Sequence, residues 1–155
     1  VGSRVSVDVR NVYVRILPRE FEKIVVIDRG AVVDFELEID AFTLKLHRVR
    51  VAGALTSIER RGDMVEALLS DEEGTARVRA WDRVADALSS FRQEDFIEVL
   101  GNLRVYRGEL YVAANIVRGI GSEGFDSYLE LVSRDRRILL ALHARSEVGT
   151  GSRPV

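Results

Sequence analysis

The chain has 155 residues, 46% of them hydrophobic and 31% charged, with a formal net charge of -2. That length suits one compact core with an appendage rather than two full domains. Without cysteine there are no disulfides, thiolate nucleophiles or thiolate metal sites, and two histidines are too few for a transition-metal cluster, so neither metal nor cofactor is expected.

In VGSRVSVDVRNVYVRILPREFE the apolar positions run Val5, Val7, Val9 and then Val12, Val14, Ile16. The parity slips by one near Asn11, which marks a bulged strand or two strands ending at Pro18. KIVVIDRGAVVDFELEID holds two apolar runs split by Asp28, Arg29 and Gly30, a hairpin signal. Residues 1–46 are therefore expected to form a strand-rich extension packed on the strands C-terminal to it.

A longer pattern occupies residues 47–121. Val49, Val51, Gly53 and Leu55 share one side of a strand, and a glycine inside a strand suits a sharp bend. Turns at Arg60 to Asp63 and Asp71 to Gly74 bound a second strand, Met64 to Ser70. In the third, Thr75 to Trp81, Ala76, Val78 and Ala80 point one way while Arg77, Arg79 and Trp81 point the other. RVADALSSFRQ carries Val84, Ala87, Leu88 and Phe91 at helical spacing. The fourth strand turns Ile97, Val99, Leu103 and Val105 inward and Asn102, Arg104 and Tyr106 outward. After a turn at Arg107 and Gly108, the fifth sends Leu110, Val112, Ala114 and Ile116 inward and Tyr111 outward. Five short strands with a helix between the third and fourth make a mostly β fold, a five-stranded Greek-key barrel of the oligonucleotide-binding (OB) type.

SEGFDSYLELVSRDRRILLALHAR then lays Phe125, Tyr128, Leu129, Val132, Leu139 and Leu142 on one stripe of a C-terminal α-helix over 122–146. The stripe must bury itself on its own barrel or on another chain. Arg134 to Arg137 break it, as a kink or an interface rim. Residues 147–155 are expected to be a disordered tail.

Two aromatic rings, Trp81 and Tyr106, with Tyr111 as a third, stand beside Arg77, Arg79 and Arg104 on adjacent outward faces. Unpaired bases stack on such rings, and guanidiniums neutralise phosphates. On parity alone, the rings fit the covering of the barrel rim equally well. The net charge of -2 gives no global basic footprint, so a nucleic-acid site must be local or completed by a partner. No phosphate-cradling glycine loop, nucleophile with its base, or metal-spaced histidine set marks an enzyme. No run reaches the roughly 20 apolar residues of a bilayer span, and the N-terminus lacks a leader's basic-then-apolar order. A soluble intracellular protein without a membrane partner is expected.

Over Val49 to Leu142 the residues resemble the small subunit of replication protein A and its archaeal relatives. The resemblance is carried by VRVAGALTSI, ARVRAWD, VLGNLRVYRGELYVAANI and SEGFDSYLELV. It implies a non-enzymatic single-stranded DNA-binding subunit in which Trp81 and Tyr106 stack on DNA and Arg104 is the neighbouring basic position. It also implies that the C-terminal helix packs with larger OB-fold subunits of a replication-protein-A-like complex. The folded N-terminus, the helix between the third and fourth strands and the lack of a winged-helix domain here point to the archaeal branch, hence a cytoplasmic, nucleoid-associated setting. The alternative is an OB-fold protein-protein assembly module, telomere-capping-like or from a repair complex, with little intrinsic nucleic-acid binding.

Overall fold

The computed structural model describes the backbone of residues 5–152 and the side chains of residues 5–142. In chain order the elements are β1 (Val5–Asp8), β2 (Tyr13–Ile16), α1 (Pro18–Phe21), β3 (Val25–Asp28), β4 (Val33–Ile39), β5 (Phe42–Leu46), β6 (Arg48–Arg61), β7 (Met64–Ser70), β8 (Thr75–Trp81), α2 (Asp82–Ser89), β9 (Phe96–Tyr106), β10 (Glu109–Gly119) and α3 (Gly121–Ser152).

The long strand β6 closes the barrel by serving two partners. Its first half, Arg48 to Ala54, pairs antiparallel with β9, and its second half, Ala54 to Arg61, pairs with β7. β8 pairs antiparallel with β7 and parallel with β10, and β10 returns antiparallel to β9, so the ring β6-β7-β8-β10-β9 is complete. Gly53 sits where β6 changes partner. A Cβ there would lie 2.7 Å from the Ser70 carbonyl oxygen, so the bend expected at this residue depends on the missing side chain. Gly53→Ala should cost about 1–3 kcal/mol by forcing β6 and β7 apart, read as a lower urea midpoint at unchanged slope.

The parity slip near Asn11 marks two strands in two different sheets. β1 runs parallel to β5 in a four-stranded sheet of order β1-β5-β4-β3. β2 instead runs parallel to the start of β6, from Tyr13 beside Arg48 to Ile16 beside Val51, along the stretch of that edge which β7 leaves open. β5 continues through His47 into β6, so Phe35, Leu37, Phe42, Leu44 and Leu46 share one buried cluster with Val49, Val51, Leu103 and Val112. The extension thus carries a sheet of its own and also donates a strand to the barrel sheet.

Both expected helices form, but with differences in detail. α2 ends at Ser89 and buries Ala85 and Leu88, leaving Ala87 exposed, while Phe91 follows the helix and lies against Gly119. The residues of this turn are too few for periodicity to choose between Ala85 and Ala87. α3 runs unbroken to Ser152, past the expected end at 146 and into the stretch expected to be disordered. The last three residues of that expected tail lie outside the described residues.

Candidate nucleic-acid interface

The register across the barrel sheet fixes the composition of its outward face. Glu66, Arg79, Ala113, Asn102, Arg48 and Tyr13 follow one another as lateral neighbours on β7, β8, β10, β9, β6 and β2. Lateral partners point to the same side of a sheet, so these residues share a face with Trp81, Tyr111, Arg104 and Tyr106, which lie at even spacing on the same strands. Trp81 and Tyr106 are open to solvent, 40% and 56% exposed. The N-terminal sheet does not bury either ring.

Tyr111 occupies a different position from the one expected. It is only 8% exposed, because the Arg79 guanidinium lies 4.6 Å from its ring centroid and Trp81 packs against it at 6.3 Å and 58°. Rather than a third open ring, it is the floor on which Trp81 rests. Beside it a groove of about 280 Å³ is walled by Arg104, Tyr106 and Tyr111 on one side and by Val33 and Phe35 of β4 on the other. Arg107 at the β9–β10 turn lies over Tyr106, 5.2 Å from its centroid.

The arginines divide into two groups. Arg79 donates to Glu66 at 2.8 Å and to Glu109 at 2.7 Å, and Arg77 lies 3.8 and 3.5 Å from the same carboxylates. A phosphate would have to displace carboxylates to reach the expected pair Arg77 and Arg79. Arg104 is exposed and, like Arg48, makes no ion pair among the described residues. Burial, and after it the charges of Arg48, Arg104 and Arg10, hold the His47 imidazole below its usual pKa. Arg48 and Arg104 thus place positive charge without a carboxylate partner among the described residues beside the β5–β6 seam. Replacing one competing carboxylate, Glu109→Gln, should strengthen single-stranded DNA binding several-fold at low salt. It should also steepen the salt dependence by about 0.7 for each additional phosphate neutralised, measured by anisotropy at stepped salt.

The expected partner stripe on α3 splits in two. Tyr128 and Val132 are buried with Ala52 against the barrel, and Phe125 stacks on Phe96 at 5.0 Å. The Tyr128 hydroxyl shares its proton between the Arg50 carbonyl at 2.7 Å and the Ile16 carbonyl at 2.8 Å. Asp135 accepts from Arg15 at 3.1 Å, and Arg136 donates to Glu20 at 2.7 Å and to the Arg15 carbonyl at 2.9 Å. Two members of the charged run, Asp135 and Arg136, thus clamp α3 onto β2 and α1, while Arg134 and Arg137 stay exposed. Leu129 is half-buried and Leu139 packs toward the main core. Leu142 stays open, together with Ile138 and Leu140, which the stripe did not include. No helix among the described residues is long and apolar enough to cross a membrane.

Among known families, the OB-fold nucleic acid binding domain of the tRNA anti-codon type matches residues 49–118. Replication factor A protein 2 of Schizosaccharomyces pombe is 29% identical over 87 residues, which is 56% of this chain and 30% of that protein, so the match spans under a third of the relative's length. A chain of the S. pombe Stn1-Ten1 complex superposes with a TM-score of 0.71 at 12% identity, covering 88% of this chain and 99% of that one. A chain of a replication protein A heterotrimer bound to single-stranded DNA superposes with a TM-score of 0.59 at 20% identity, covering 89% and 98%. At these identities the two structures establish a shared fold.

Proposed function

We propose, for a chain whose barrel is an OB-fold nucleic acid binding domain homologous to replication factor A protein 2, that it is a single-stranded DNA-binding subunit of a replication-protein-A-like complex. The observation that carries this reading is the pair of open rings, Trp81 and Tyr106, on one barrel face beside the Arg104 guanidinium, which has no ion-pair partner among the described residues. Bases stack on the rings, Arg104 meets phosphate, and no bond is made or broken. The exposed apolar residues Ile138, Leu140 and Leu142 of α3 are where a larger OB-fold subunit packs. The folded N-terminal sheet is in keeping with an archaeal, nucleoid-associated member.

A second reading, a protein-protein assembly module, is favoured by the net charge of -2 and by the commitment of Arg77 and Arg79 to carboxylates. An anisotropy titration of labelled single-stranded DNA at stepped salt separates the two. The first requires binding whose logarithm falls by about 0.7 per phosphate contact against log salt. Absence of binding at every salt concentration favours the second.

A further inference from the structure

We propose that β2 widens the nucleic-acid face, with Tyr13 as a further stacking ring and Arg48 as a phosphate contact, for a single strand running from Trp81 across β10 and β9 to the N-terminal strand. This inference rests on the function proposed above.

β2 lies outside the five-stranded ring, yet its register places Tyr13 at the end of the outward row Arg79, Ala113, Asn102, Arg48. Four strand spacings of about 4.8 Å, counted along the curved sheet, separate the Tyr13 backbone from β8 by roughly 19 Å, and its side chain reaches back over β6 and β9 to Asn115 of β10. Tyr13 is held in place for such a role. Its hydroxyl accepts from the Asn115 amide at 3.1 Å, and the Arg48 guanidinium lies 5.8 Å from its ring centroid. Arg48 is exposed and free of carboxylates among the described residues, and so is its diagonal neighbour Arg104. Between the two ends the floor is low at Ala113. There the amide oxygen of Asn102 is buried without a hydrogen-bond partner.

The test is an anisotropy series with oligothymidylates stepped across about 4 to 16 nucleotides, at low and moderate salt. Wild type, Tyr13→Leu, Tyr13→Phe, Arg48→Gln and Trp81→Ala are compared, with folding checked by circular dichroism. Tyr13→Leu should weaken the longer oligonucleotides by about fivefold or more and leave the shortest unchanged, while Tyr13→Phe, which keeps the ring, retains affinity. Arg48→Gln should flatten the salt slope by about 0.7. Should Trp81→Ala weaken binding while folded Tyr13→Leu matches wild type at every length, the inference is overturned and the proposed function stands. Should wild type bind no length at all, both fall. If Tyr13→Leu does not fold, the slope of Arg48→Gln decides, and an unchanged slope overturns the inference.

Discussion

Replacing Trp81 and Tyr106 together by alanine should reduce affinity for single-stranded DNA about a hundredfold without unfolding the chain. Each base stacked on an aromatic ring is worth about 1–3 kcal/mol by alanine substitution, and the two rings stand on different strands. Both rings are only partly covered, 40% and 56% exposed, so the double variant should stay folded with a stability loss of about 1–3 kcal/mol. The double variant is needed because of Tyr111. Removing Trp81 alone uncovers the Tyr111 ring, already backed by Arg79 at 4.6 Å, and that ring then offers a base a substitute platform. The single Trp81→Ala variant should therefore lose less than Trp81's full share. Anisotropy titration of the three variants, with thermal unfolding alongside, checks both statements.

The largest effect on stability is expected at Tyr128. Tyr128→Ala should cost about 3–5 kcal/mol, the range for emptying a buried aromatic site, since the residue is 3% exposed and, with Val132, seats α3 on Ala52 of β6. Tyr128→Phe keeps the ring and removes one proton shared by two carbonyls, for about 1–2 kcal/mol. Burial, and then the nearby Glu98 carboxylate, push the phenol far above its usual pKa, so the hydroxyl remains a donor at any working pH. Because Tyr128 touches β2 and β6 through their backbones, away from Trp81, Tyr128→Phe should leave DNA affinity unchanged. If α3 bound only a partner, neither variant would alter the melting of the isolated chain.

The strand pattern was legible because a barrel repeats one rule, inward apolar and outward polar, which β8 follows from Thr75 to Ala80 and β9 from Asn102 to Val105. Gly53 was legible because a glycine in mid-strand has few other uses. Parity assigns a face, however, and says nothing of what covers it. Tyr111 was rightly placed outward, yet its neighbours Arg79 and Trp81 close over it. The partners of Arg77 and Arg79 lie on β7 and at the start of β10, and only the register brings Glu66 and Glu109 within reach. An amphipathic stripe likewise shows that α3 must be covered without saying by what. Half of it faces its own barrel, and Arg136, which looked like an interruption, finds Glu20 across 116 residues of chain. Tyr13 and Arg48 were missed because the parity slip at Asn11 left β2 without an assigned neighbour. An aromatic residue two positions past that slip was the available signal.

The central claim is that a base stacks on Trp81, and the chain supplies its own probe, since Trp81 is its single tryptophan. Titrating oligothymidylate while following intrinsic tryptophan emission should quench the signal along the same saturation curve that anisotropy gives, with Tyr106→Ala shifting both curves together. Saturable binding by anisotropy with unchanged tryptophan emission would contradict the account, because the strand would then be held somewhere other than on this ring.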